Sequence, residues 1–266
     1  MTTDAPIIAY DNLLVGATYT LNAGTEQTAS PISDAATLDL TRPALPKTNA
    51  SGVVEIEYQV NITVPTVFIM GAARHDNTAG YKTSYGTFAV HYWNGSAWVT
   101  LITAALSAVN VSTIYKLAAH IPVAVDSKYK YRLTYSGLTP NSTISIPELF
   151  LGSCIEMPFL DFGYDEYNDV LKGNKFTSLS GRTYMVAHYR RLEARPSWST
   201  VPRSYDQYSQ VFREEVIEQA KPFWWSWQPD TSPNATYMVQ SNVDHVEYPI
   251  LSVVHRSLKL DLVEAL

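Results

Sequence analysis

Two short stretches of the chain carry side chains suited to holding a sugar ring. One is Arg74-His75-Asp76-Asn77, and the other is a tip formed by Trp93, Asn94 and Trp98. Aromatic faces cover the apolar side of a pyranose, while Asn, Asp and Arg meet its hydroxyls. The competing expectation is that both are ordinary loops of a β-sandwich. A third stretch, Phe223-Trp224-Trp225-Ser226-Trp227, is rich in indole. Strand alternation puts Phe223, Trp225 and Trp227 on one face and Trp224 with Ser226 on the other, so both faces need cover. Trp224, Trp225 and Trp227 are therefore candidate assembly contacts, the alternative being that a helix of the same chain covers one face.

Catalytic patterns are harder to place. The histidines are His75, His91, His120, His188, His245 and His255, and none forms an i, i+4 pair or a facial triad with nearby carboxylates. Asp161, Asp165, Glu166 and Asp169 could offer oxygens to Ca²⁺, but they lack the spacing of an EF-hand and read as a solvated acidic loop. There is no Gly-x-Ser-x-Gly elbow, phosphate-binding loop or dinucleotide fingerprint. No pair of carboxylates can be assigned to a hydrolase cleft. The single cysteine, Cys154, excludes an intrachain disulfide and a Cys-rich zinc site. The expectation is a protein that is not an enzyme and that needs neither metal nor cofactor.

The elements that would position these residues are strands. Val54, Ile56, Tyr58, Val60, Ile62 and Val64 alternate with polar residues, which predicts a strand with one buried face. Val67-Phe68-Ile69-Met70 reads as a second strand, followed by a polar loop over 71–81. Phe88, Val90 and Tyr92 lead into Trp93-Asn94-Gly95-Ser96, and Trp98, Val99 and Leu101 follow, which is a hairpin pattern. Tyr129, Tyr131, Leu133 and Tyr135 alternate next, and Ile144, Ile146, Leu149 and Leu151 close the first half. No helix is needed before residue 152.

The second half reads differently. A strand is expected over 182–195. Ser204-Tyr205-Asp206-Gln207 fits a capping box, which predicts a helix over about 204–220 with Tyr208, Val211, Phe212 and Val216 on its apolar side and Pro222 as its stop. The aromatic strand, a strand at 237–239 and a long one over 250–263 come after it. The expected fold is mostly β: an N-terminal jelly-roll-like antiparallel sandwich over 1–152, and a β-rich assembly domain with one α-helix over 153–266.

Composition suits a protein that works through contacts, and equally any β-sandwich, since aromatics and Thr favour strands. The chain has 266 residues, of which 46% are hydrophobic and only 17% charged, below the usual quarter, and Tyr is its commonest aromatic with 18 copies. The net charge of −6 comes without a Lys/Arg run, so no nucleic-acid partner is expected. No stretch reaches the roughly 18 apolar residues of a membrane span. No basic, apolar leader follows Met1, so synthesis in the cytoplasm without a signal peptide is expected. Asn-x-Ser/Thr triplets at Asn49, Asn61, Asn94, Asn110, Asn141 and Asn234 read as turn chemistry rather than glycosylation sites.

Tyr10-Asp11-Asn12-Leu13-Leu14, Val67-Phe68-Ile69-Met70-Gly71 with the Arg74–Asn77 turn, the Trp93–Trp98 hairpin and the closing Pro147-Glu148-Leu149-Phe150-Leu151-Gly152 occur in a telling order. In that order the first half resembles the galactose-binding-like jelly rolls of bacteriophage tail and adhesion proteins. Ile155 to Gly163, then a helix and a Lys221-Pro222-Phe223-Trp224 strand, resemble the second domain of such tail proteins. The resemblance implies a virion structural protein of the tail or baseplate, present in several copies. Its implied partners are other tail proteins and copies of itself. The alternative is a module that recognises a host-surface glycan.

Overall fold

A computed structural model describes residues 5–37, 42–60, 66–74, 84–108, 114–125, 130–161, 169–177, 183–202, 210–229, 231, 236–242 and 255–265. The chain divides into two units. One holds Met1–Glu156 with Ser226–Thr236, and the other holds Met157–Trp225 with Tyr237–Ala265.

Alternation decides the first unit. Its strands are β1 (Ile7–Ala9), β2 (Thr18–Ala23), β3 (Val54–Gln59), β4 (Thr66–Arg74), β5 (Ser84–Trp93), β6 (Trp98–Ala108), β7 (Ile114–Val125), β8 (Lys130–Ser136), β9 (Leu149–Gly152) and β10 (Ile155–Glu156). Val54, Ile56, Tyr58 and Val60 are buried, as the period of two requires, while Glu55 and Glu57 lie on the wet side. Ile62 and Val64 lie outside the described residues. Tyr131, Leu133 and Tyr135 of β8 repeat the pattern beside them.

The strand order is β2-β3-β8-β5-β6-β7-β4-β9, and every pairing whose register is resolved is antiparallel. Among the described residues, β6 and β7 pair at Ser107↔Lys116 and Ala108↔Tyr115. Five strands, β2-β3-β8-β5-β6, lie on one side of that link and three, β7-β4-β9, on the other. Leu149 and Leu151 of β9 share one core with Ile56, Tyr58, Phe88, Val90 and Leu133 of the opposite layer. Two antiparallel layers closed on a common core in this order make a jelly-roll-like sandwich.

Asn12 ties that sandwich shut. Its buried amide donates to the carbonyls of Ala36 (3.1 Å) and Leu149 (2.8 Å) and accepts from the backbone N–H of Leu14 (3.2 Å) and Leu151 (3.2 Å). Two donors and two acceptors are thereby all used. At the neighbouring Gly152, any Cβ would run into the Asp11 carbonyl oxygen. A short 3₁₀ helix, Ile32–Ala36, also packs on this core, where the strand pattern alone needs no helix before residue 152. It is held through Glu26, whose carboxylate accepts from Ile32 N–H (2.7 Å) and the Tyr19 hydroxyl (2.6 Å).

The second unit holds β11 (Asp169–Thr177), β12 (Thr183–Ala194), β13 (Ser197–Pro202), β14 (Phe223–Ser226), β15 (Thr236–Ser241), β16 (His255–Lys259) and β17 (Leu262–Glu264). β14, β15, β17, β12 and β11 lie side by side in that order, and β13 pairs separately with β16. The long strand expected over 250–263 is split. Leu260 and Asp261 break it because Leu260 N–H turns to Pro196 O (3.0 Å) and Asn242 N–H takes Asp261 O (2.8 Å). β11 begins within the stretch 156–173, which reads from its sequence as loop or short strand, and runs on to Thr177 with a register shift at Lys172/Gly173.

The helix differs from its expected form. Its capping residues at 204–207 lie outside the described residues. The described part is one α-turn over 210–212 and then a π-helix, Arg213–Ile217, closed by Glu218 N–H to Arg213 O (2.9 Å) and followed by Lys221 N–H to Val216 O (2.9 Å). Ala220 takes a positive φ of 50° just before Pro222, whose ring bars a further turn. Phe212 and Val216 are buried as expected, but Val211 is 39% exposed. Among the described residues, no helix is long and apolar enough to cross a membrane.

Candidate functional site

The β5–β6 hairpin ends in a polar tip that organises itself. Trp93 pairs with Trp98, and four residues span the turn between them. Asn94 Oδ1 accepts from Ser96 N–H (2.9 Å), Ala97 N–H (2.9 Å) and the Ser96 hydroxyl (3.0 Å). Gly95 supplies a positive φ of 103°, and Asn94 itself does not adopt one. The turn is thus an Asx-locked four-residue loop, wider than the two-residue form in which both turn residues have positive φ.

This rigid tip sets two indoles side by side. The Trp93 and Trp98 rings meet edge to face, with centroids 5.4 Å apart and planes at 62°. Both are half-buried. The inward residues of β5 and β8 are Phe88, Val90, Tyr131, Leu133 and Tyr135, so alternation turns Trp93, His91 and Arg132 outward together. The guanidinium carbon of Arg132 lies 4.1 Å from the Trp98 centroid, a cation–π contact.

Charges around Arg132 are matched. Its Nε lies 3.3 Å from Glu55 Oε1 and its terminal nitrogen 3.9 Å from Glu57 Oε2. Lys130 Nζ lies 3.4 Å from Glu57 Oε1. The Arg132–Glu55 contact is an ion pair without hydrogen-bond alignment, because Nε finds no aligned acceptor. Next to it, Thr100 Oγ1 and His91 Nδ1 share a 3.0 Å hydrogen bond. Burial and the adjacent Arg132 charge hold the His91 pKa below that of a free imidazole, and Glu55 opposes them. The arrangement offers aromatic surface, hydroxyls, a carboxylate pair and a guanidinium on one open face.

The other expected sites fare differently. Arg74 is not a loop residue: it closes β4, paired with Ile114, because the β4–β7 ladder runs on past Gly71. His75, Asp76 and Asn77 lie outside the described residues, as do Asp165 and Glu166 of the acidic group. Asp161 serves the fold of the second unit. Its carboxylate accepts from Ser199 N–H (3.0 Å), the Ser199 hydroxyl (2.9 Å) and the Ser197 hydroxyl (3.2 Å), and the Ser199 N–H leads in lowering its pKa. Among the described residues, no group of His, Cys, Asp or Glu could hold a metal. Burial pushes the Cys154 thiol up to about 12, with Glu156 adding to the shift.

The aromatic strand needs a correction. Trp224 is 4% and Trp225 1% exposed in the single chain, so neither offers contact surface to another subunit. Trp225 packs edge to face on Trp198 of β13 (6.1 Å), and Phe223 packs the same way on Phe212 of the helical segment (5.0 Å). The helix thus covers the Phe223 side of β14. Of the three indoles, Trp227 alone keeps appreciable exposure.

Arg132, Glu55, Glu57, Lys130 and His91 were not expected at the site. Alternation marked them as solvent-facing, but only the register between strands brings them to the tryptophans.

No protein-family model matches the chain, and no curated protein sequence matches it. Solved structures give partial likenesses over about half of it. SpGH29 is 14% identical over 55% of this chain, with a TM-score of 0.40, and the match spans only 28% of the SpGH29 chain. The family 32 CBM from C. perfringens NanJ in complex with galactose is 13% identical over 55% of this chain and 98% of its own, at 0.39. The lectin domain of Lectinolysin complexed with Lewis B antigen is 13% identical over 55% and 99%, also at 0.39. At these scores the likenesses decide nothing about ligand or ancestry, and the fold stands on the chain's own strand order and shared core.

Proposed function

We propose that the first unit is a saccharide-binding module that works at the Trp93–Trp98 hairpin and binds without cleaving. The observation that carries this reading is the pair of half-buried indoles fixed by an Asx-locked turn beside Arg132. Rigid aromatic surface with hydrogen-bonding groups at its rim is what sugar recognition requires, and its order is present before any ligand arrives. Glycoside cleavage would need one carboxyl as acid and a second as base or nucleophile, whereas Glu55 and Glu57 here are both engaged by Arg132 and Lys130. A glycan array probed with the full chain tests the reading. Specific signals that vanish in Trp93→Ala are expected, and Arg74→Ala reports whether the end of β4 contributes. An array without signal above background would dismiss it.

A second reading is that of a structural subunit of a bacteriophage tail or baseplate, acting through protein–protein contacts in the virion. It is favoured by Phe159, which is 66% exposed, and by Val15, 61% exposed. Large apolar side chains left in water are candidate anchors for a neighbouring subunit. Sedimentation of the chain alone and with Phe159→Ser separates the readings. Self-association lost in the variant supports the structural role, and a concentration-independent monomer in both opposes it.

A further inference from the structure

The outer face of the five-stranded layer carries one unbroken polar row. Register sets Thr20 beside Glu57, Glu57 beside Arg132, Arg132 beside His91 and His91 beside Thr100. Four strand spacings make this row about 19 Å long. One sugar ring would fill only a fraction of it. Both of its ends are exposed hydroxyls, and its centre adjoins the tryptophan pair through Arg132.

The row is dense in donors and acceptors and yet balanced in charge. Glu55 and Glu57 face Lys130 and Arg132, and Asn22 Nδ2 donates to both carboxylates, at 3.4 and 3.3 Å. His91 adds no charge near neutral pH, since burial and Arg132 keep its imidazole unprotonated. An anionic glycan would have to break an existing ion pair to gain a cation. A neutral one keeps every pair and meets the row with its hydroxyls.

We infer that an uncharged oligosaccharide of several units lies across the strands from the tryptophan pair along the Thr20–Glu57–Arg132–His91–Thr100 row. This rests on the saccharide reading above and names its ligand class. Such a ligand crosses the strands at right angles, so it touches five strands whose side chains are already fixed by the sheet.

The test uses the full chain on an array of uncharged and carboxylate-bearing glycans of one to six units. Bound glycans should be uncharged, and apparent affinity should rise at least about tenfold from one unit to four, as successive hydrogen bonds are added. Thr20→Val, a mild change at the exposed far end of the row, should weaken the four-unit ligand by roughly threefold to tenfold and leave single sugars unchanged, whereas Thr100→Val, beside Trp98, should weaken both. The pair Glu55→Gln with Glu57→Gln releases Lys130 and Arg132 and should admit carboxylate-bearing glycans. Equal binding of one-unit and four-unit ligands with a silent Thr20→Val variant would overturn the inference and leave the saccharide reading intact. A wild-type preference for acidic glycans would do the same. Absence of any glycan binding overturns both.

Discussion

The guanidinium of Arg132 stacks 4.1 Å from the Trp98 ring centroid while its nitrogens face Glu55 and Glu57 on the neighbouring strand. One side chain thus couples the hairpin tip to β3 through β8. Its exposure of 26% keeps water close, so each ion pair contributes only a fraction of a kcal/mol to about 1 kcal/mol. Arg132→Ala removes the stack and leaves two carboxylates side by side on β3. A loss of about 1–2 kcal/mol is expected, read from urea midpoints, with part of it recovered in high salt. A variant as stable as wild type at low salt would show that the stack contributes nothing.

Asn12→Ala is expected to be far more damaging. It strands the carbonyls of Ala36 and Leu149 and the N–H groups of Leu14 and Leu151 in a buried place. About 3 kcal/mol or more should be lost. Gly152→Ala should cost a similar amount for a different reason, since its methyl group meets backbone at Asp11 rather than a movable side chain. Thermal melts of both variants check this, and a shift of only a degree or two in either would contradict the tie described here.

Acid should act through His91 before it acts through Asp161. The folded His91 pKa lies below the unfolded one, so the unfolded chain takes up this proton first. Its contribution is intact above about pH 6.5 and declines as pH falls below that value, until the folded imidazole also titrates. Asp161 shifts downward as well, but a carboxylate contributes above its unfolded value of about 3.9 and loses that contribution as pH falls through the folded one. Urea midpoints from pH 7.5 to 5 should therefore have a shallower slope in His91→Gln. Asp161→Asn should flatten the profile only at lower pH. Slopes matching wild type in both variants would exclude these two groups as its source.

Cys154 should be sluggish toward thiol reagents in the native state. Its thiol, pushed up to about 12, presents almost no thiolate at pH 8. Reaction with a disulfide reagent should be slower by at least about tenfold in buffer than in denaturant, where a free thiol near 8.5 is restored. Equal rates would mean that the site opens readily.

Much of the first unit was legible because β3 and β8 keep a clean period of two. Val54, Ile56 and Tyr58, and likewise Tyr131, Leu133 and Tyr135, have one consistent placement, and the hairpin at Asn94-Gly95 announces itself. Register was not legible. Nothing local says that Glu57, Arg132 and His91 stand in one row, since that depends on pairings between residues more than thirty positions apart. The second unit was read less well where backbone bonds overrode pattern, as at Leu260 and Asp261, which turn away from a ladder that apolar alternation would have continued. Trp224 shows the limit of arguing from residue type. Its size marks it as an anchor, but only the fold reveals that the chain buries it against itself.

The place of β9 has a consequence for how this protein is made. β4 needs β9 on one edge, through Gly71↔Leu149 and Phe68↔Gly152, and the Asn12 clasp also waits for Leu149 and Leu151. On a ribosome adding about 5–20 residues per second, that edge of β4 stays open for roughly 4 to 16 s after it emerges. During that interval the nascent chain offers an unpaired strand edge to any other strand nearby. The sandwich therefore closes late and from its end. Slow or crowded translation through residues 75–148 is where misassembly of this protein should begin.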